Sequence, residues 1–302
     1  RNLFFLRKFM LLVLTVLKII SPVFFLGIIG YFWEKTEIEY PIKFVTKLTM
    51  NIALPCLIFT SLMNTQIDSN VLSSIIFATL LSYLFLTIFC FLFVKLMKID
   101  IHTFLPPMIF GNTGNLGLPL AFFAFGNDGL SYAVIIFAIM AIFSLTLGIW
   151  IISGDKNLTK LLKEPIVWGA VLGAICLYFN IKTPIFITNS LELTGQIAIP
   201  LMLITLGVSV ARLKLTNLTR GFSIVCFRTL ICLLFSVSVA FTLNLPEVAA
   251  AVLILQLTTP IAVTSYLLSE RFNRNPNDVA SLVIISTLMS VIYIPIILSF
   301  LI

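Results

Sequence analysis

Charge is what this sequence has least of. Of its 302 residues only 10% are charged while 60% are hydrophobic, against about 25% charged in soluble domains. Such a chain cannot cover a water-soluble globule with polar surface, so lipid is the solvent for most of it. Histidine occurs once, at His102, and there is no HExxH, no mid-span acidic pair and no Ser–His arrangement for nucleophilic chemistry. An intramembrane hydrolase is therefore disfavoured, and the chain is read as a non-enzyme without a metal or other cofactor. Five cysteines (Cys56, Cys90, Cys176, Cys226, Cys232) all fall in apolar segments, none in a CxxC or metal spacing, and read as reduced packing residues. The roughly ten-residue alternation of a membrane barrel is also missing.

Long uniform apolar runs are present instead. Residues 71–94 and 279–302 carry no charge, and each can cross a core of about 30 Å as a helix. Helices are expected at 16–33, 42–63, 71–96, 104–125, 129–152, 163–180, 186–211, 218–243, 247–269 and 278–301, with turn signals such as Gly126-Asn127-Asp128-Gly129 and Asn273-Arg274-Asn275-Pro276 between them. Residues 1–15 read as an interfacial segment or an extension of the first helix. The surplus of positive charge, net +7, sits in the short gaps and points to topology and anionic headgroups, not nucleic acid. Lys35, Lys43, Lys98, Lys156, Lys160, Lys163, Arg212, Lys214, Arg220, Arg271 and Arg274 fall in the odd-numbered gaps, and Lys182 alone in an even one. The expected topology has odd gaps cytoplasmic and both termini outside, in a plasma or inner membrane, although Arg1, Arg7 and Lys8 argue against an outward N-terminus. The Asn-x-Thr sequons at Asn157 and Asn217 should then go unused.

Comparing the chain with itself reveals a repeat. IALPCLIFTSL (52–62) matches IAIPLMLITLG (197–207), placing Pro55 on Pro200 and Thr60 on Thr205. Pro22 likewise falls near Pro165 and Thr113 on Thr258, at a common offset of about 145 residues. The units are 1–152 and 153–302. Each holds about five helices, so the second enters the membrane from the opposite side. Inverted repeats are a feature of secondary transporters, whose cargo binds near the midplane where helices break.

Two such breaks are expected. GNTGNLGLPL (111–120) places three glycines, two asparagines, a threonine and a proline inside the apolar run 104–125. Glycine costs about 1 kcal/mol and proline about 3 against alanine in a helix. The second break is QLTTPIAVT (256–264), around Pro260. Irregular backbone at membrane depth is tolerated where it lines a cavity or is buried in protein. Close helix packing through small residues is the alternative reading of 111–120; a nucleotide loop is excluded because no Lys follows and no strand precedes. If the breaks cross, their half-helix N-termini favour an anion there. Candidate contacts are Asn112, Thr113, Gly114, Asn115, Pro119, Gln256, Thr258, Thr259 and Pro260.

The segments GNTGNLGLPL and NIALPCLIF, with the ten-helix layout, resemble the auxin efflux carrier family in its bacterial branch, over nearly the whole chain. The resemblance implies a scaffold of helices one, two, six and seven and a mobile transport domain of helices three to five and eight to ten. It implies that the broken fourth and ninth helices cross beside the cargo, with Asn112 and Pro119 matching one crossover and Pro260 the other. It also implies small organic anions, homodimers and elevator-like motion. The long central loop of plant members is absent, which speaks against auxin itself. A channel fits an inverted repeat less well; a sensor that binds the anion without moving it stays open, as does coupling to H+ or Na+ through carbonyls at the breaks.

Few ionisable residues sit within spans. Arg228, in the eighth helix, is expected to offset an anion, pair with a carboxylate or snorkel to the headgroups. Glu192, Glu247 and Asp68 are read as helix-terminal residues favoured by the dipole, Asp128 as a turn residue, and His102 as solvated.

Overall fold

The computed structural model describes residues 2–36, 38–64, 69–153, 164–213 and 215–302. Arg1, Asp68, Lys156, Asn157, Lys160, Lys163 and Lys214, and the side chains of Arg7 and Lys8, lie outside the described residues. The elements are α1 (Asn2–Lys35), α2 (Ile42–Asn64), α3 (Ser69–Leu96), α4 (Ile101–Ile109), α5 (Thr113–Ser153), α6 (Pro165–Tyr178), α7 (Ile185–Arg212), α8 (Leu218–Thr242), α9 (Glu247–Leu257), α10 (Val263–Arg271) and α11 (Pro276–Leu301). Among the described residues no strand forms, and seven helices are long and apolar enough to cross a membrane. The segment before residue 16 continues α1 as helix.

Where the elements depart from the expected spans, the local chemistry explains it. α5 runs over 41 residues; at 1.5 Å per residue that is about 60 Å, twice the thickness of the hydrocarbon core. Gly126 interrupts it with φ 64° and ψ −150°, a conformation that glycine adopts at little cost, where the turn was expected. The expected fourth span consists of α4 and the first turns of α5, and the expected ninth consists of α9 and α10, each split by residues that are not helical. Both helices of the NIALP/IAIP match are distorted just before the matched proline: α2 widens to a π-turn at Thr49–Ala53, and α7 is interrupted at Ile197. A proline ring displaces the carbonyl one turn back, which accounts for both.

The helices pack in two sets. α1 lies along α7, and α2 lies against α6 and the first half of α7. In the other set α8 packs on α3, α9 and α11, α9 on α5, and α4 on α3. Phenylalanine rings stack between α3 and α8, with Phe93 and Phe227 at 3.9 Å and Phe85 and Phe235 at 5.2 Å between centroids. α1 and α7 approach backbone to backbone. A Cβ on Gly207 would lie 1.8 Å from the Gly27 carbonyl oxygen, and one on Gly30 would lie 2.0 Å from that of Ile204. Small residues at such a crossing let the dispersion contacts of two whole helices form in lipid. A bidentate pair ties the same two helices together at one end, Arg212 Nε and Nη2 donating to the Glu34 carboxylate at 2.8 and 2.9 Å. Being partly exposed, this pair adds little stability.

Asp100, unremarked in the sequence, caps α4, its carboxylate accepting from the Thr103 N–H at 2.8 Å. Burial raises its pKa, but the Thr103 hydrogen bonds and nearby His102 outweigh that and hold it below the usual 3.8. Glu192 is not at a helix end as expected: it lies within α7 and accepts from Asn64 Nδ2 at 2.8 Å, joining α7 to the end of α2. Glu247 does occupy the first turn of α9.

Two predictions follow from these contacts. Gly207→Ala forces α1 and α7 apart and should lower stability by about 1–3 kcal/mol, whereas Gly27→Ala, whose Cβ meets nothing within 4 Å, should leave it unchanged; thermal unfolding in detergent compares them. Asp100→Ala should cost about 1 kcal/mol. Because the folded carboxyl titrates below 3.8, the cap contributes fully above that value and is lost as pH falls through the lower folded one. Unfolding midpoints of wild type and variant should converge there.

Candidate functional site

The two interruptions meet. Gly111 and Ile261 form an isolated antiparallel bridge: Asn112 N–H donates to Pro260 O at 2.6 Å, and Ala262 N–H donates to Phe110 O at 3.3 Å. The Ile261 N–H is taken by Ser286 Oγ of α11 at 3.0 Å. Each break thus satisfies backbone groups that the other's irregular geometry exposes, and the non-helical backbone of both is buried.

Four half-helix ends surround this bridge. α4 and α9 arrive with their C-termini, and α5 and α10 leave with their N-termini. On the arriving side the carbonyls are answered by side chains. Arg228 Nε donates to Met108 O at 3.1 Å and its Nη1 to Thr259 O at 2.8 Å, while Tyr293 OH donates to Thr258 O at 2.9 Å. Arg228 is 1% exposed. It neither snorkels nor, among the described residues, pairs with a carboxylate; the negative ends of two helices take the place of an acidic partner.

On the leaving side, Leu116 and Gly117 N–H both donate to Asn112 O, so the N–H groups of residues 113–115 have no acceptor within their own helix. Val263 and Thr264 stand likewise at the start of α10. Pro119 lies just after the π-turn Thr113–Gly117 that opens α5, at the start of its regular α-helical part. Buried side-chain atoms without a hydrogen-bond partner gather here: Asn112 Nδ2, Thr113 Oγ1, and Nε2 and Oε1 of Gln256. The Gln256 amide lies against Gly117, where a Cβ would come within 2.2 Å of Oε1.

A cavity of about 780 Å³ opens beside the α5 and α10 N-termini, lined by Asn115, Val263, Thr264, Thr49, Lys43, Lys47 and Arg212 among others. It lies between the first turns of α2, the second half of α7, and α10. Tyr40 closes part of its wall, its hydroxyl sharing a 2.7 Å hydrogen bond with Thr205. Of the expected contact residues, Asn115 lines the cavity directly; Asn112, Thr113, Gly114, Pro119, Gln256, Thr258, Thr259 and Pro260 are buried in the crossing behind it. Lys43, Lys47, Gly111, Ser286 and Tyr293 were not singled out in the sequence. Gly111 opens the broken motif and was legible there; the lysines come from α2, some seventy residues earlier in the chain, and only folding brings them near.

Helical throughout its described residues apart from short connections, with several apolar spans and two polar interruptions paired in its core, the chain has the architecture of a multi-pass membrane protein. A family model described as a membrane transport protein matches residues 15–157 and 153–298. The chain belongs to this family, the auxin efflux carriers that its broken motifs resemble. It is 27% identical over 301 residues to an uncharacterized transporter of Methanocaldococcus jannaschii, covering 92% of this chain and 96% of that one. It is 24% identical over 298 residues to one of Methanothermobacter thermautotrophicus, covering 94% and 95%.

Contact between Gly117 and Gln256 gives a test of the crossing. Gly117→Ala alone should destabilise by about 1–3 kcal/mol through overpacking, and Gln256→Ala in the same chain should recover most of that loss. A double-mutant cycle of unfolding free energies measures the coupling.

Proposed function

We propose that the chain is a secondary transporter of a small organic anion, with the cargo seated where the cavity meets the N-termini of α5 and α10. One observation carries the reading: two helix N-termini with unsatisfied N–H groups converge on one cavity whose wall bears Lys43 and Lys47 against the single carboxylate of Glu39, with unpartnered polar side chains buried just behind it. Orphan N–H groups and the positive dipole ends favour an anion. Asn115 supplies a neutral donor in the wall, with Asn112 and Thr113 one layer behind it, and the two lysines raise the local anion concentration.

The packing supports an inverted repeat of ten spans. α1 against α7 and α6 against α2 are equivalent contacts once the two halves are exchanged, and α3 with α8 and the two breaks are each other's counterparts. Alternating access then has α1, α2, α6 and α7 as scaffold and the helices carrying the breaks as an elevator, in a homodimer of the plasma or inner membrane with the Lys43 side cytoplasmic. The cavity lies on the boundary between the two sets, as sliding of one on the other requires. A sensor that binds the same anion without moving it is the second reading, favoured by how deeply Asn112 and Gln256 are buried.

Uptake of a labelled organic-acid panel into proteoliposomes tests the proposal, with wild type beside Asn112→Ala and Pro260→Ala. Saturable uptake of one acid is expected, lost at least about tenfold in folded Asn112→Ala, since one lost hydrogen bond to a charged group is worth about 1.5–3 kcal/mol, and lost also in Pro260→Ala, where restoring an N–H lets the break close toward regular helix. No flux of any acid, with saturable binding retained, would move the protein to the sensor class.

A further inference from the structure

Arg228 is the one buried charged side chain among the described residues. It stands in the middle of α8 with no ion-pair partner among them. It does not line the cavity. Its two bonded nitrogens reach two different helix ends: Met108 O belongs to the last turn of α4, and Thr259 O follows the end of α9. Carbonyls at a helix C-terminus lack intrahelical donors and carry the negative end of the dipole. Two such ends, brought together by the crossing, would repel each other unless a cation stood between them. A guanidinium suits this place because its planar fork offers donors in fixed, diverging directions, whereas an ammonium acts as a point charge.

The backbone is cut to fit it. A Cβ on Gly111 would lie 2.9 Å from Arg228 Nη2 and 2.5 Å from Thr259 Oγ1. The first glycine of the broken motif is therefore the space through which the arginine touches the crossing. The third nitrogen, Nη2, has no hydrogen-bond partner, so a charge of +1 sits here without full compensation.

We infer that Arg228 is the resident cation of the crossing, a positioning residue that ties the C-termini of α4 and α9 together and so holds the N-termini of α5 and α10 aimed at the cavity. It touches no cargo. It acts through the Asn112–Pro260 and Ala262–Phe110 hydrogen bonds, which its two carbonyl contacts flank on either side. It also supplies from within the chain the charge that a bound metal cation would bring to these carbonyls. The inference rests on the reading of the crossing as an anion site, but its test does not need the cargo.

Hydrogen exchange of purified protein gives a local readout at residues 110–117 and 258–265. In Arg228→Gly, exchange in both segments should rise at least about tenfold, the equivalent of one lost hydrogen bond to a charged group. Added guanidinium chloride, at concentrations far below denaturing ones, should slow it again, and sodium chloride at the same concentration should not. Arg228→Lys, which keeps the charge but not the fork, should stay fast. Gly111→Ala, which displaces the guanidinium without removing it, should accelerate exchange in the same two segments, and it serves if Arg228→Gly does not fold. Unchanged exchange in these variants overturns the inference, and so does recovery by sodium or by lysine equal to that by guanidinium, which would reduce the role to bare charge. If exchange behaves as expected while wild type takes up no acid, the positioning role stands and the cargo reading fails; uptake that guanidinium restores to Arg228→Gly supports both.

Discussion

Inside a bilayer a backbone N–H or C=O without a partner costs several kcal/mol, and this chain interrupts two of its apolar runs. The structure answers with a bridge one residue pair wide. Gly111 faces Ile261, and the hydrogen bonds on either side of them close the ends of both interruptions. Neither break is tolerable alone, because each presents the acceptors or donors that the other lacks. The surrounding helices are placed to serve this bridge: α11 lends Ser286 and Tyr293, and α8 lends Arg228.

The bridge also sorts charge. Breaking two helices at one depth brings four termini together, two with negative and two with positive dipole ends. The negative ends are answered by donors from inside the protein, so their field is spent there. The positive ends have no such internal partner and stand beside the cavity, where Asn115, Val263 and Thr264 belong to its wall. The scarcity of buried carboxylates in the sequence fits this arrangement. An acidic side chain at the crossing would pair with Arg228 and pull it away from Met108 and Thr259.

Much of this was legible in the sequence, for identifiable reasons. The breaks could be found because glycine, asparagine and proline are conspicuous against an apolar run, and Gly126 because NDG-type turns have their own chemistry. The paired prolines of the IALP and IAIP segments were visible because their effect on α2 and α7 is local. What could not be read depends on distance. Arg228 left three roles open because its partners are the carbonyls of Met108 and Thr259, 120 and 31 residues away along the chain. Glu192 looked like a terminal residue until Asn64 of α2 was seen to hold it. Asp100 was missed for a plainer reason: it precedes α4, and the start of that helix was expected later than Ile101.

The two sets of helices differ in how they are held, and the difference bears on which could move. α1 and α7 approach until the backbone at Gly207 nearly touches that at Gly27, a fit that any relative sliding would turn into a clash. The crossing is held by hydrogen bonds and a single guanidinium, all internal to the second set, so the shift proposed above would leave them intact. Between the sets lies the cavity, with the Lys43 and Lys47 wall on one side and the α5 and α10 N-termini on the other. Elevator motion needs a rigid frame, a rigid carriage and a weakly filled seam between them. For the elevator proposed above, the glycine contact of α1 with α7 would stiffen the frame and the bridged breaks would stiffen the carriage, by different physics, with the cavity at part of their boundary.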